Sequence, residues 1–449
     1  MPLLAQVPVP NIIVDVNEIS NAGGMVASGP AGTASSLPNE LSVLGTNRVW
    51  FAASSNIIGR ELFGYRPDNI QTVASHNLLA TPTLLSSDPC LLTPVGERLF
   101  FAAKDLSGED RLHTLDAGDL AAPIPLPGAV TGTSIKDVSP MGTGAIVATF
   151  ATAATTFWKV TVGTTITAQS IQTSSNYSLV GDLVDCGYDG SGFFAFTGLD
   201  QTLVPAQRVL ATWSRGGNPY RVHTGAVDNL TAAGTKLYFT ASTSTTSTLY
   251  KTTGGAEAVV HATGDKISHL MPASIGDSIL FFLVTGSECK VHGYNGKDAP
   301  SVPWPLGWWV KHVTAATLVD DVPHVLCVGN YESAWYSAIW KVNDDGTAME
   351  LVKRLDGWGD CSQLVANGTG QLAFVGRYHE TSPELRTPHL GFLATLAAPA
   401  TPAPIPDLRA GAMPSSLRAL ADRVVFVADH RLQGIEPWYC TFPVAPNIF

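Results

Sequence analysis

The apolar residues of this chain fall into short continuous runs that recur at nearly even intervals. Nine such runs, about 42 to 52 residues apart, start near Val49, Leu99, Ile146, Phe193, Leu237, Ile279, Val325, Leu372 and Val424. Each is followed by a polar loop and a second strand-like run that begins near an aromatic residue or Leu. Continuous apolar runs of this length are typical of strands that are buried on both faces. The pattern therefore predicts an all-β fold built from repeated four-stranded units.

The last copy of the pattern, Ser415 to Phe442, ends one strand short of the others. A candidate for the missing strand precedes the first copy, in Asn11 to Ile19, which reads NIIVDVNEI. We expect Trp438 to Phe442 to pair beside Ile12 to Val16, because this pairing covers the free edge of the last unit. The ends of the chain would then close a ring.

The prediction is a closed β-propeller that forms a single domain over residues 1–449. It has nine four-stranded blades, or eight if one degenerate copy is an insertion. Residues 1–19 supply the closing strand, and residues 39–449 hold the repeats. Residues 20–38 are rich in Gly, Ser and Ala and predict a flexible link between the two.

Several copies resemble a known bacterial repeat. The segments GRELFGYRPDN at Gly59–Asn69 and GIEPWYC at Gly434–Cys440 are similar to the ELWxxDGT-type β-propeller repeat, and LVKRLDG at Leu351–Gly357 looks like its fourth strand. That family is defined by structural residues. The resemblance therefore implies a propeller fold and carries no catalytic or binding residue over to this chain.

Composition and charge narrow the classes of function. The formal charge is −11 and the pI is about 5.4, which argues against a nucleic-acid-binding surface. No apolar run reaches the length of a spanning helix, so no membrane insertion is expected. The first residues have no secretory signal pattern, which indicates cytoplasmic synthesis and leaves the final location unknown, a virion included. Six scattered cysteines without metal-ligand spacing predict free and mostly buried thiols.

The sequence contains few candidates for catalytic or metal chemistry. The predicted first strands of the blades are mostly small and apolar, and their notable polar residues are Asp182, Asp185, His269, His312 and Arg418. No nucleophile elbow, zinc-binding helix or phosphate loop is present. The acidic stretches Asp182–Gly192 and Asn343–Thr347 have the composition of turns rather than of calcium loops. We therefore predict no catalytic residue, no metal and no cofactor.

Aromatic residues give a sharper signal. In an antiparallel four-stranded blade, the loops between second and third strands emerge on the same face as the connections between blades. Eight residues of blades six to eight fall on that face and predict a binding surface: Trp308, Trp309, Tyr331, Trp335, Tyr336, Trp358, Tyr378 and His379. The alternative for Trp308 and Trp358 is a role as core plugs between blades.

Two hypotheses of function follow. The first is a non-enzymatic binding or structural module that uses the aromatic face to hold a protein partner or a surface glycan, as a subunit of a larger assembly such as a phage virion. The second is a polysaccharide-acting enzyme with a site in the central channel. Acidic or histidine side chains that converge in the channel would favour the enzyme.

Overall fold

In the computed structural model the chain is built from β-strands. The structure describes residues 11–12, 37–55, 59–66, 73–76, 86–116, 121–127, 132–243, 246–263, 266–272, 279–285, 288–294, 301–342, 348–378, 387–393, 400–405, 408, 412–431 and 434–443. Within these residues, strands form nine four-stranded sheets, and the strand pairs that are described are antiparallel. This confirms the prediction of an all-β fold with repeated four-stranded units.

The strands of the first four sheets follow chain order. They are β2 (Asn39–Leu44), β3 (Arg48–Ser55), β4 (Gly59–Tyr65) and β5 (Val73–His76); β6 (Cys90–Val95), β7 (Arg98–Lys104), β8 (Asp110–Leu115) and β9 (Ala121–Ile124); β10 (Ser134–Met141), β11 (Gly144–Ala151), β12 (Ala154–Val162) and β13 (Ile166–Ser174); and β14 (Tyr177–Cys186), β15 (Phe193–Asp200), β16 (Gln207–Ser214) and β17 (Tyr220–Thr224).

The next four sheets have the same order. They are β18 (Asp228–Ala233), β19 (Lys236–Ser242), β20 (Ser247–Thr252) and β21 (Ala258–Thr263); β22 (Lys266–Pro272), β23 (Ile279–Thr285), β24 (Glu288–Tyr294) and β25 (Ser301–Val302); β26 (Trp308–Val319), β27 (Val322–Tyr331), β28 (Ala334–Val342) and β29 (Met349–Leu355); and β30 (Trp358–Ala366), β31 (Leu372–Tyr378), β32 (Thr387–Leu393) and β33 (Thr401–Pro404).

The ninth sheet joins the two ends of the chain. Its order is β1 (Asn11–Ile12), β36 (Gly434–Thr441), β35 (Arg423–His430) and β34 (Ser415–Ala419). Asn11 lies opposite Tyr439 and Ile12 opposite Trp438, in antiparallel register. The predicted pairing of an N-terminal strand with the last strand is thus confirmed at Asn11 and Ile12, and the rest of that predicted strand lies outside the described residues.

The described residues cluster into two compact units. The first comprises Met1–Ser86, Ser287–Cys289 and Val302–Phe449, and the second comprises Ser87–Gly286 and Lys290–Ser301. The prediction of a single domain over the whole chain stays a prediction.

The second strand of each sheet shows why the apolar runs are continuous. In β35, Val424, Phe426 and Ala428 pack against the sheet of β30–β33. The intervening Val425 and Val427 pack in the opposite direction, against the sheet of β2–β5. Side chains alternate between the two faces of a strand, so a strand with a neighbour on each face needs an apolar residue at every position.

The first strand of every sheet carries an irregularity that the sequence did not predict. The pairing between first and second strands shifts register in all nine sheets of the described chain. Non-glycine residues with positive φ lie in these strands, among them Leu91, Asp182, Asn229 and Asp360. Such bulges leave backbone groups without a partner in their own sheet.

Side chains of the preceding first strand bind these backbone groups. In the second unit, Thr93 donates to the carbonyl of Val138 at 3.0 Å, and Asp137 accepts from the amide of Leu183 at 2.7 Å. In the first unit, Gln363 accepts from the amide of Leu417 at 3.0 Å. Polar residues in the first strands therefore join neighbouring sheets.

Arg418 has the same structural role. Its guanidinium donates to the carbonyl of Leu41 at 2.9 Å and to that of Leu417 at 2.8 Å. The cysteines also agree with expectation: all six are free, and all except Cys90 are buried. In the described part of the chain, no helix is long and apolar enough to cross a membrane.

The first testable prediction concerns β1. Deletion of residues 1–19 removes β1 and leaves the outer edge of β36 without a partner. We expect the melting temperature to fall by more than about 5 °C, a loss of at least one to two kcal/mol. Circular dichroism against temperature measures this. Deletion of residues 1–8, which keeps Asn11 and Ile12, is the matched control and should leave the melting temperature unchanged; equal curves for all three proteins would contradict the role of β1.

A second prediction concerns His113, which is buried and stacks on Phe101 at 5.3 Å between ring centroids. Neither ring nitrogen has a hydrogen-bond partner among the described residues. Burial lowers the pKa of His113 to about 4, below the ordinary value of 6.5. The unfolded chain therefore binds more protons between these values, and stability falls as the pH drops from 7 to 4, by about 3 kcal/mol in total.

We expect His113→Leu to remove this part of the pH dependence. Urea unfolding at pH 7 and pH 4.5 measures it. The variant and the wild type should differ little at pH 7, where the imidazole is neutral in both states, and the variant should be the more stable at pH 4.5. The same pH dependence in both proteins would refute the role of His113.

Candidate functional site

His312 lies in β26, one of three first strands in the described chain whose pairing shifts register twice. The pairing of β26 with β27 shifts register twice, between Val310 and His312 and between Val313 and Ala315. His312 is half-buried and, unlike Thr93, Asp137, Gln363 and Arg418, makes no hydrogen bond among the described residues. The neighbouring first-strand polar groups have structural partners, so this imidazole is the exception.

The electrostatic surroundings keep this imidazole neutral. Burial lowers the pKa of His312 below 6.5, and the positive charge of Lys311 lowers it further. A neutral imidazole has a free nitrogen lone pair that can accept a proton from a bound molecule. His312 is thus suited to act as a base at neutral pH.

The imidazole opens into a cavity of about 390 Å³, which we call the His312 pocket. Its volume is within the roughly 300–1,000 Å³ range of small-molecule sites. β26, β27, β28 and β30 supply the lining, which includes His312, Thr314, Trp335, Tyr336, Trp358 and Asp360.

β30 supplies the acidic side of the pocket. Its pairing with β31 shifts register between Gly359 and Ser362, and Asp360 there has a φ of 49°. The Asp360 side chain is 76% exposed and lies 3.5 Å from the Nε of Arg377. The bulge thus directs an exposed carboxylate outward, beside the guanidinium of Arg377.

Trp358 anchors this strand. Its side chain is buried and packs edge-to-face on Phe374 with ring centroids 4.7 Å apart. Gly376 of β31 makes the room, because a Cβ there would lie 2.9 Å from the indole ring and 2.9 Å from the Sγ of Cys361. Trp358 is therefore a core residue between two sheets rather than part of an exposed face. Asp360 follows it by two residues, so the burial of Trp358 positions this part of β30.

Trp335 forms the exposed side of the pocket. It follows the turn at Glu332 and Ser333, and 51% of its surface is exposed. Trp309 supports it at 5.4 Å between centroids, and the Lys311 ammonium lies 5.7 Å from its ring centre. An exposed, supported indole is a flat apolar platform with a polar edge, a surface on which sugar rings stack.

The structure brings together most of the aromatic residues that the sequence singled out. Trp308 stacks on Tyr331 at 5.2 Å, and Tyr378 lies 4.9 Å from Trp358. Trp335, Tyr336 and Trp358 of adjacent sheets line one cavity. His379 lies outside the described residues, as does the stretch Asn343–Thr347.

The other polar candidates have different surroundings. Asp185 accepts a hydrogen bond from the amide of Tyr188 at 2.9 Å, which is turn chemistry. Asp182 accepts from the hydroxyl of Thr197 at 2.7 Å. Nothing is described for the side chain of His269. Within the part of the chain that the structure describes, no group of three or more His, Cys, Asp and Glu residues could hold a metal ion.

Two site residues escaped the sequence analysis. Asp360 and Lys311 lie in no motif, and a bulge brings the first of them to the pocket. A weak signal existed in the Gly–Asp pair after Trp358, since such pairs favour irregular backbone. His312 was noted as a polar first-strand residue, but its convergence with Asp360 depends on how neighbouring sheets pack.

No protein-family model matches the chain, and no curated protein is significantly similar to it. Solved structures with similarity include an oligogalacturonate lyase from Vibrio parahaemolyticus, 14% identical, with 90% of this chain and 99% of the lyase covered and a TM-score of 0.42. A second is the β-propeller domain of the Trilobed protease from Pyrococcus furiosus, 9% identical, with coverage of 72% and 97% and a TM-score of 0.38. A third is a puromycin hydrolase, 12% identical, with 77% of this chain covered and a TM-score of 0.39; the match spans 60% of the hydrolase's length.

These comparisons correct the sequence-based view of function. We predicted a non-enzymatic binding or structural module in an assembly such as a virion, but two of these proteins are enzymes and the third is a domain of a protease. That prediction is wrong. The physical reason lies in the first strands, which we took as too apolar for chemistry. Their bulges bring His312 and Asp360 from adjacent sheets into one pocket.

A third prediction tests the charge environment of His312. Lys311→Met removes the positive charge that lowers the pKa of His312, so this pKa should rise toward 6.5 while remaining below it, because burial persists. Proton NMR of the imidazole ring against pH measures the value. Lys353→Met removes another lysine of the first unit that does not act on His312 and serves as the control. A pKa that is unaffected by Lys311→Met would refute the assignment.

Proposed function

We propose that the chain is an enzyme that acts on a carbohydrate in the His312 pocket, where His312 removes a proton from a sugar bound against Trp335. One observation carries the proposal: an imidazole with a lowered pKa and no hydrogen-bond partner among the described residues lines the same cavity as a half-exposed indole. Base and platform are thus close enough to contact one small ligand.

The lining favours proton abstraction over hydrolysis by paired carboxylates. Glycoside hydrolysis of the usual kind needs two carboxyl groups that flank the scissile bond. Among the described residues of the pocket, Asp360 supplies the single carboxylate. Asp360 is better suited to accept hydrogen bonds from sugar hydroxyls, since its carboxylate is exposed and accepts only.

Lys311 would affect the protonated form of His312 rather than bind the sugar ring. When the imidazole takes the proton it becomes a cation beside the ammonium of Lys311, and the two like charges repel. The proton is therefore easily returned to a leaving group or to water. A base that releases its proton readily is what repeated turnover requires.

The nine sheets are described, but their arrangement as a closed propeller of nine blades is part of this proposal. The closed propeller of nine blades is supported by the antiparallel pairing of β1 with β36, which joins the first and last strands in one sheet. It is also supported by the uniform four-strand order of the repeats.

A fourth prediction tests the proposed chemistry. We expect the wild type to convert at least one member of a panel of neutral and acidic oligosaccharides, with His312→Gln lowering kcat by about 10²- to 10⁴-fold. Chromatography of the products measures conversion. The rate should also fall as the pH drops through the pKa of His312, because the protonated ring cannot accept a proton.

The control is His223→Gln, which changes another half-buried histidine that does not line the pocket. It should retain full activity. Melting curves of both variants separate loss of catalysis from loss of folding. Absence of conversion across the panel, or full activity in His312→Gln, would overturn the proposed function.

A further inference from the structure

A second cavity lies beside the first, in the same unit. It has a volume of about 380 Å³, and we call it the Arg354 pocket. Its lining comes from β26, the end of β27, β29 and the residue after β29, and includes Trp308, Tyr331, Leu351, Lys353, Arg354 and Asp356. By volume it is nearly equal to the His312 pocket.

One layer of side chains separates the two cavities. Tyr336 lines the His312 pocket, and the guanidinium of Arg354 lies 4.6 Å from the centre of the Tyr336 ring. Trp308 lines the Arg354 pocket and lies 6.3 Å from Tyr336 between ring centroids. A ligand that passes over this layer contacts both cavities.

The two cavities have the same kind of polar group. Asp360 of the first is paired with Arg377 at 3.5 Å. Asp356 of the second is paired with Arg354, through its Oδ1 at 2.7 Å and its Oδ2 at 3.4 Å. Each cavity thus contains an exposed carboxylate with an arginine beside it.

They also share the same kind of apolar surface. In the first, Trp335 is exposed and backed by Trp309. In the second, Trp308 stacks on Tyr331 at an interplanar angle of 25° and is backed edge-on by Trp340 at 4.9 Å. In such a pair, the aromatic ring can stack on a sugar ring while the carboxylate accepts hydrogen bonds from its hydroxyls.

We infer that the two cavities are consecutive subsites for one linear oligosaccharide, which crosses the layer formed by Tyr336 and Arg354. Two adjacent cavities with the same recognition chemistry match a ligand that presents the same group twice, as a chain of sugar units does. The inference rests on the proposed carbohydrate function and adds to it that the substrate is a chain rather than a single sugar.

Binding of graded chain lengths tests the inference without requiring turnover. The full chain carrying His312→Gln is titrated by calorimetry with cello-oligosaccharides and with oligogalacturonates of one to six units. We expect affinity to rise with chain length in one series until both cavities are filled, and then to level off.

Two substitutions test the contribution of each cavity to binding separately. Asp360→Asn should weaken binding at every chain length. Asp356→Asn should leave the shortest bound sugar within twofold and weaken the longer chains about tenfold, as expected for one charge-assisted hydrogen bond. Asp422→Asn changes another exposed aspartate paired with an arginine, Arg423, and is the matched control that should have no effect at any length.

Each outcome is decisive. Affinity independent of length, or an effect of Asp356→Asn that is equal at all lengths or absent, overturns the two-subsite inference and leaves the proposed catalysis standing where the wild type converts the panel. Length-dependent binding with the expected effects, but without conversion by the wild type, upholds the subsites and overturns the catalysis. No binding of either series overturns the two-subsite inference, and conversion of the panel by the wild type decides the catalysis separately.

Discussion

The bulge in the first strand of each sheet is the constraint on which much of this structure depends. A register shift turns backbone amides and carbonyls away from their own ladder, and a buried group left unpaired costs about 1–3 kcal/mol. The first strand of the adjacent sheet supplies the missing partner, as Gln363 does for Leu417 and Arg418 does for Leu41. Polar residues at these positions therefore hold sheets together, and most need no functional explanation.

Because polar residues at these bulges are generally hydrogen-bonded, one described residue that is not, His312, is informative. His312 lies at a bulge, where neighbouring first strands place a hydrogen-bonded linker, yet within the described chain it bonds to nothing. Its surroundings keep it neutral, and it lines a cavity with Asp360 of the next first strand. A polar residue that does not join sheets, in a kind of strand where Thr93, Asp137, Gln363 and Arg418 do, is available for contact with a ligand.

The sequence predicts the features that follow from where the strand-like runs lie, and it misses those that arise only from the exact register between two strands. The second strands were predictable because burial on both faces requires an unbroken apolar run, as in Val424 to Ala428. The pairing of Ile12 with Trp438 followed from a missing strand at one end and a spare one at the other. Trp335 and Tyr336 were predicted together with Trp358 because the relevant loops emerge at the same ends of their strands. The bulges were not predictable, since a register shift belongs to a pair of strands, and with them the meeting of Asp360 and His312 in one pocket was missed.

Backbone strain distinguishes the His312 pocket less well than its side-chain contacts do. The turn that precedes Trp335 has positive φ at both Glu332 (50°) and Ser333 (68°), and neither is a glycine. Strain of this kind often accompanies functional loops. Yet the turn at Thr152 and Ala153, with φ of 46° and 65°, has the same backbone geometry, so positive φ is not particular to the turn before Trp335. The turn can hold Trp335 in place, and what distinguishes this indole is its surroundings: the Lys311 ammonium, the imidazole of His312 and the carboxylate of Asp360. Because these groups come from three strands of two sheets, the site exists only when the sheets are packed, and its integrity is tied to the same contacts that stabilise the fold.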